Sequence, residues 1–236
     1  MKVLVIIPAY NEAENLVSLL DRLKETCPGY DAVVVNDNST DNTLQVCKEH
    51  GADVIDLPAN LGIGGAVQAG YRYALHMGYE AAVQLDGDGQ HNPECIDKLL
   101  TCLKNGSNLC IGSRFLSSAG YKSTWLRRFA IRYFSALIYF FTGCRVTDPT
   151  SGFRACDRTA VRLFAEDYPV DYPEPESIVN AAGKRLKITE EPVVMNKRKE
   201  GKSTITGIKS LYYMVKVSMA IIISSLYGQG CREVKR

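Results

Sequence analysis

The chain has 236 residues, of which 46% are hydrophobic and 23% charged, a make-up that excludes a disordered protein. This length supports one large α/β domain, or one domain with an appendage. The formal net charge of +2 makes no case for nucleic acid and moves the question of partners to local charge.

The N-terminus, Met1-Lys2-Val3-Leu4-Val5-Ile6-Ile7-Pro8, is a strand pattern too short for a secretion signal. The cysteines are Cys27, Cys47, Cys95, Cys102, Cys110, Cys144, Cys156 and Cys231, and none forms a Cys-x-x-Cys pair. Without a secretion signal they read as reduced, mostly buried thiols of a cytoplasmic protein.

Strands are predicted at Val3–Ile7, Ala32–Asn36, Asp53–Asp56, Ala81–Leu85 and Asn108–Ile111. Helices are predicted between them at Glu12–Thr26, Asp41–Glu49, Gly64–His76 and Pro93–Lys104. The strands are near-continuous apolar runs, as in a parallel sheet covered on both faces. Their alternation with helices predicts right-handed crossovers and a doubly wound α/β fold. Beyond residue 116 comes a long apolar helix, Trp125–Phe141, with arginines near its start. A turn-rich loop follows at Asp148–Arg154, then a helix near Pro175–Gly183 and a strand near Glu191–Asn196. The last predicted element is an apolar helix, Lys209–Tyr227. No internal repeat or linker divides the chain.

Ligands of such folds bind beyond the carboxyl ends of the strands, where the informative residues gather. Leu85-Asp86-Gly87-Asp88-Gly89-Gln90-His91 places two carboxylates between glycines directly after an apolar run. Hard oxygen ligands at one point suit Mg²⁺ or Mn²⁺, which take one or two carboxylates and complete their shell with phosphate oxygens. The chemistry implied is the handling of a diphosphate, most simply a nucleotide-sugar. A lone Asp-x-Asp is equally a polar turn; four polar or glycine-rich strand ends together are the stronger signal. Glu12 and Asp37 read as ligand-facing, with Asp37 placed to accept from a base N–H and Tyr10 to stack on it. Asn11 and Asp41 read as helix N-caps. Asn60-Leu61-Gly62-Ile63-Gly64-Gly65 opens a helix whose N-terminus favours anions, and it is not a Rossmann fingerprint. His91 reads as a metal ligand or as a group that orients its neighbours.

Six segments occur in order: Pro8-Ala9-Tyr10-Asn11-Glu12, Asn36-Asp37-Asn38-Ser39-Thr40-Asp41, Asn60-Leu61-Gly62-Ile63-Gly64, Leu85–His91, Gly112-Ser113-Arg114 and Asp148-Pro149-Thr150-Ser151-Gly152-Phe153. Together they resemble the family 2 glycosyltransferases of GT-A fold, specifically the dolichyl-phosphate mannose synthase-like branch, over about residues 1–204. In length and C-terminal pattern the chain is similar to compact bacterial polyprenyl-phosphate N-acetylglucosaminyltransferases.

The resemblance implies a Rossmann-like nucleotide-diphospho-sugar transferase fold, with a mainly parallel sheet between helices and an apolar C-terminal helix. It also implies inverting transfer from a nucleotide-sugar, UDP-linked N-acetylglucosamine or glucose by preference, to a polyprenyl phosphate. Pro8, Tyr10, Glu12 and Asp37 match nucleoside-binding positions, with Asn60 and Gly87 beside the donor. Asp86, Asp88 and Gln90 match the positions that hold the metal and diphosphate. Arg114 and Arg128 match basic residues placed to receive the acceptor phosphate, so that Asp88, Arg114 and Arg128 form the implied catalytic set. Arg198 matches a donor-diphosphate arginine. Two departures are visible: Thr204 stands where related synthases carry a basic residue, and the pair of C-terminal membrane spans of larger relatives is missing. The alternatives are transfer to a hydroxyl of a lipid-linked saccharide, which needs a carboxylate base, and a non-catalytic nucleotide-sugar-binding scaffold.

Residues 1–204 then form the transfer domain and 205–236 an apolar helix with a basic tail. The eighteen residues from Ser210 to Tyr227 reach about 27 Å as helix, marginal against a hydrocarbon core of about 30 Å. Lys216 interrupts that run, which favours a helix lying in the membrane interface or against a partner over one that spans. The Arg127–Phe141 helix offers a second such surface. The expected setting is peripheral, at the inner face of the cell membrane, with a small membrane-protein partner or a second copy as further partners.

Overall fold

A computed structural model describes residues 1–116, 125–196 and 208–233. The chain runs β1 (Val3–Ala9), α1 (Ala13–Thr26), β2 (Asp31–Asn36), α2 (Thr43–Glu49), β3 (Asp53–Asp56), α3 (Gly62–His76) and β4 (Ala81–Gln84). It continues with α4 (Ile96–Lys104), β5 (Leu109–Ser113), α5 (Trp125–Thr142), β6 (Arg154–Asp157), α6 (Arg158–Glu166), α7 (Pro173–Gly183), β7 (Ile188–Pro192) and α8 (Ile208–Glu233). The described strands form one seven-stranded sheet in the order β3-β2-β1-β4-β6-β5-β7. Every pairing is parallel except those of β6, which runs against both β4 and β5. The expected α/β architecture is the one observed.

Period-two alternation along β1 divides its side chains between two cores. Val3, Val5 and Ile7 join one core, and Leu4 and Ile6 the other. Leu16, Leu19, Leu20 and Leu23 of α1, and Ile96, Leu99, Leu100 and Leu103 of α4, fill the first. Both sets recur at helical spacing, so each helix turns one apolar stripe to the sheet. The second core takes Ala66, Val67, Tyr71 and Ala74 of α3 and Ala160, Val161 and Phe164 of α6. Phe134 and Ile138 of α5 and Val217 and Ile221 of α8 close it from outside.

The differences from expectation lie after residue 150. The elements read from the sequence include neither β6 nor α6. β6 is only four residues long and begins with a fully buried arginine, so it carries no apolar run. The last strand is β7, Ile188–Pro192, rather than Glu191–Asn196. Beyond it Val193 still donates to Ser113, but Asn196 has left the sheet and donates to the Gln90 carbonyl at 2.8 Å. Helix α8 extends past both expected ends and packs on α5 and α7. The expected division at 204/205 lies outside the described residues. Among the described residues no helix is long and apolar enough to cross a membrane. The seven cysteines with described side chains are free thiols, five of them buried.

Candidate active site

Because β1, β2 and β4 are parallel neighbours, their carboxyl ends share one edge of the sheet. There they open a cleft of about 410 Å³, lined by Pro8, Ala9, Tyr10 and Glu12 after β1, and by Asp37 after β2. Asn60, Gly62, Ile63 and Ala66 at the start of α3, and Asp86, Gly87 and Asp88 after β4, complete the lining. The structure thus brings Pro8, Tyr10, Glu12, Asp37, Asn60, Asp86, Gly87 and Asp88 together in one cavity. Tyr10 stays half exposed at 48%, a ring open to a ligand. Gly87 lies against β1: a Cβ there would sit 3.0 Å from the Pro8 carbonyl oxygen.

Asp37 is 3% exposed. Its Oδ1 accepts the Leu61 N–H at 2.7 Å, and its own N–H donates to Ala9 O at 2.9 Å. It therefore ties the ends of β1 and β2 to the entry of α3 while facing the cleft. Asn60 Oδ1 accepts the Gly62 N–H at 3.1 Å and satisfies one open donor of the first turn of α3. The N-cap reading of Asn11 is corrected: Glu12 precedes α1, and Asn11 adopts φ +56°. Its Oδ1 instead accepts from Thr40 N at 2.8 Å and Asp41 N at 3.3 Å, joining the β1 loop to the β2 loop. Asp41 binds the first N–H of two helices, Ala13 N at 3.2 Å and Thr43 N at 2.9 Å, from outside both.

The Asp86 carboxylate is held from three sides. Gln84, fully buried at the end of β4, donates Nε2–H to Asp86 Oδ1 at 3.2 Å. His91 accepts the Asp86 backbone N–H on Nδ1 at 3.0 Å, which places its ring proton on Nε2, 3.5 Å from Asp86 Oδ2. The His91 ring is buried and stacked on Phe153, with centroids 4.9 Å apart and 15° between planes. Behind the carboxylate lies Gly152, where a Cβ would stand 3.0 Å from both Asp86 Oδ2 and Gln84 Nε2. Of the two readings of His91, the geometry supports the orienting one. His91→Ala removes the acceptor for a part-buried N–H and the ring stacked on Phe153, so a loss of about 1–3 kcal/mol of stability is expected in urea titration. His91→Asn, with an oxygen near the Nδ1 position, should recover part of it.

Asp88 Oδ1 accepts the Gln90 N–H at 3.0 Å, closing a turn through Gly89 at φ +71°. The Gln90 side chain is not among the cleft's lining, and its carbonyl is engaged by Asn196. Arg114, expected to receive the acceptor phosphate, stands in a buried ion pair. Arg114 is 6% exposed, and it donates from Nε and Nη2 to the two oxygens of the fully buried Asp148 at 2.6 and 2.7 Å. Nη2 also reaches Thr150 Oγ1 at 2.9 Å. Glu190 accepts the N–H groups of Thr147 and Asp148 at 2.7 and 2.9 Å, which fixes the same loop from β7. Arg114 therefore holds the Asp148–Gly152 segment behind Asp86. Arg128 is exposed on the first turn of α5 and is not among the residues lining the cleft. Arg198 lies outside the described residues.

The description glycosyl transferase family 2 matches residues 4–164 of this chain. The chain belongs to that family. It is 30% identical to polyprenol monophosphomannose synthase of Mycolicibacterium smegmatis over 92% of this chain and 86% of that protein. It is 32% identical to undecaprenyl-phosphate mannosyltransferase of Micrococcus luteus over 88% of each. Among solved structures, glucosyl-3-phosphoglycerate synthase from Mycobacterium tuberculosis, in complex with Mn²⁺, UDP-glucose and phosphoglyceric acid, superposes with a TM-score of 0.70. That match is 20% identical and covers 97% of this chain and 80% of the other. The fold is thus GT-A, as the ordered motifs imply.

For this family 2 chain, sequence reasoning missed the residues that act on Asp86 from behind. Gln84 carries a usable signal, a polar residue inside an apolar strand two positions before Asp86, where period two returns it to the same face. Glu174 carries none. Burial pushes its carboxyl above the ordinary range, opposed by Arg154 and reinforced by the charge of Asp86.

Proposed function

We propose that this chain is a divalent-metal-dependent, inverting glycosyltransferase that moves a hexose or N-acetylhexosamine from a nucleoside diphosphate to a polyprenyl phosphate. The observation that carries this reading is the pair Asp86 and Asp88, presented by the end of β4 to a cleft that also draws on β1, β2 and α3. Pro8, Tyr10, Glu12 and Asp37 would receive the nucleoside, and Asn60, Gly87 and the α3 N-terminus the diphosphate side. The two named relatives, both mannosyl transferases to polyprenyl phosphates, support the acceptor class.

Asp86 and Asp88 fit Mg²⁺ or Mn²⁺ by their chemistry. Both are hard oxygen ligands, and among the described residues no group of three His, Cys, Asp or Glu could hold a metal ion unaided. Such a partial set suits an ion that draws the rest of its shell from substrate oxygens. When bound, the ion would supply positive charge to the departing diphosphate. The acceptor phosphate is already anionic: its oxygen bonds to the anomeric carbon as the bond to the diphosphate breaks, and no side chain must remove a proton. The protein's work is alignment and charge neutralisation. In this reading residues 1–204 carry the transfer, and 205–236 serve association at the inner face of the cell membrane.

The test is a donor screen. Radiolabelled GDP-mannose, UDP-N-acetylglucosamine and UDP-glucose are each supplied with undecaprenyl phosphate and Mn²⁺. One lipid-extractable product that vanishes with chelator is expected; no product from any donor overturns the reading.

One observation favours the alternative acceptor, a saccharide hydroxyl. Glu174 is half-buried and outside the cleft's lining, but desolvation, with the charge of Asp86, raises the proton affinity of its carboxyl, which suits a base. Glu174→Gln separates the two. With a phosphate acceptor, kcat is expected to stay within about tenfold of the parent, whereas loss of a general base costs about 10²–10⁴.

A further inference from the structure

Tyr168 lies just after α6 and is buried. Its ring packs edge-on against Tyr71 of α3 and Phe164 of α6, with centroids 5.5 and 5.3 Å away. The two residues after it pin the backbone to α3. The carbonyl oxygens of Pro169 and Val170 come so close to Gly64 that a Cβ there would stand 2.2 and 2.4 Å from them. Ring and backbone together fix where the Tyr168 hydroxyl sits, and Oη donates to Gln84 Oε1 at 3.5 Å. Gln84 is fully buried, and its Nε2 donates onward to Asp86 Oδ1 at 3.2 Å. Burial raises the proton affinity of the Tyr168 hydroxyl; Arg154 opposes this, and the charges of Glu174 and Asp86 add to it. The hydroxyl therefore stays a neutral donor. Tyr71 belongs to the same ring cluster, but its hydroxyl meets Cys156 Sγ instead, 3.4 Å away.

We infer that Tyr168 is a positioning residue for Asp86, acting through the Gln84 amide to set the carboxylate that meets the divalent cation. The inference rests on the metal reading of Asp86 and Asp88. The two ends of an amide have nearly the same shape, so hydrogen bonds decide which way it points. The Asp86 carboxylate only accepts and so requires the NH₂ end of Gln84. The Tyr168 hydroxyl, donating, takes the oxygen end. The two demands agree, and each bond polarises the amide in favour of the other. Gly152 closes the remaining side, where a Cβ would stand 3.0 Å from both Gln84 Nε2 and Asp86 Oδ2. An ion that draws much of its shell from the substrate depends on the setting of the few carboxylates that the protein supplies. Without the Tyr168 hydroxyl the buried Gln84 oxygen loses its donor, the amide is freer to turn, and Asp86 is less firmly set.

Mn²⁺ binding to the full chain tests this without turnover, followed by the electron paramagnetic resonance of the free ion with UDP and, separately, with GDP. The parent is expected to bind Mn²⁺ with at least one of the two. Tyr168→Phe keeps the ring and drops the hydroxyl. It should raise the Mn²⁺ dissociation constant about tenfold, the low end of the roughly 10–100-fold that follows loss of a hydrogen-bond partner behind a ligating side chain. Tyr71→Phe makes the same chemical change in the same cluster and should keep the parent's constant, with a similar shift in melting temperature. Gln84→Met should weaken binding at least as much as Tyr168→Phe, and the double variant should lose nothing further, the mark of two residues in one relay. The two phenylalanine variants decide the matter even where Gln84→Met fails to fold. Parent-like Mn²⁺ affinity in Tyr168→Phe overturns the inference and leaves the proposed transfer standing. So does equal weakening by Tyr71→Phe, or additive losses in the double variant. A parent that binds no Mn²⁺ with either nucleotide removes the metal reading, and this inference with it.

Discussion

Asp88→Asn is expected to lower turnover by about three orders of magnitude, roughly 4 kcal/mol of transition-state stabilisation, while leaving the melting temperature nearly unchanged. The two halves of this expectation have separate causes. Asp88 serves the fold through Oδ1, which accepts the Gln90 N–H at 3.0 Å. An asparagine keeps that oxygen and therefore the turn. It lacks the negative charge, and with it a hard ligand for the cation beside the diphosphate. Asp86→Asn is the less informative change, because Asp86 also holds Gln84 and faces His91, so lost charge and disturbed packing would mix. The measurement is kcat at saturating donor across a Mn²⁺ titration, with thermal unfolding on the same samples. Near-normal turnover at every Mn²⁺ concentration would remove the metal from the account.

The same pair of residues shows where sequence reading succeeds and where it stops. Asp86 and Asp88 are legible because they follow an apolar strand, and the strand predicts its own carboxyl end. The same logic places Pro8, Asp37 and Asn60 at one edge, where they line the cleft. It fails where position is dictated by partners distant in the chain. Arg154 opens β6, and its guanidinium is satisfied by Ser151 O at 2.7 Å, Ser177 Oγ at 2.6 Å and Glu174 O at 2.8 Å. No local pattern announces a strand that begins with a buried cation. Helix α6 was more accessible: Asp157 Oδ1 accepts the Ala160 N–H at 2.8 Å, an N-cap ahead of apolar Ala160, Val161 and Phe164. For Arg114 the sequence shows the match but not the partners. Its matching position marks it as important, but whether a guanidinium meets a substrate or a buried carboxylate depends on what the loop at Asp148 brings to it.

That dependence gives Asp148→Ala the largest expected effect on stability, about 3–5 kcal/mol. Asp148 is fully buried and accepts from Arg114 three times, at 3.1 Å from N, 2.6 Å from Nε and 2.7 Å from Nη2. Alanine removes the counter-charge while the guanidinium stays in a site with little access to water. Since domains of this kind are stable by only about 5–15 kcal/mol, the variant should be near the limit of folding. The control is Arg114→Met/Asp148→Leu, which removes both charges and keeps an apolar fill. Replacing a buried ion pair in this way is often neutral, so urea titration of the double variant should recover most of the loss. Activity need not return with it, because Thr150 Oγ1 would lose its Arg114 donor and the segment leading to Gly152 would lose an anchor behind Asp86. Stability restored with kcat still depressed would tie Arg114 to the transfer itself, beyond its part in holding the fold. A single Asp148→Ala variant as stable as the parent would instead mean that the guanidinium is readily solvated and available to an acceptor phosphate.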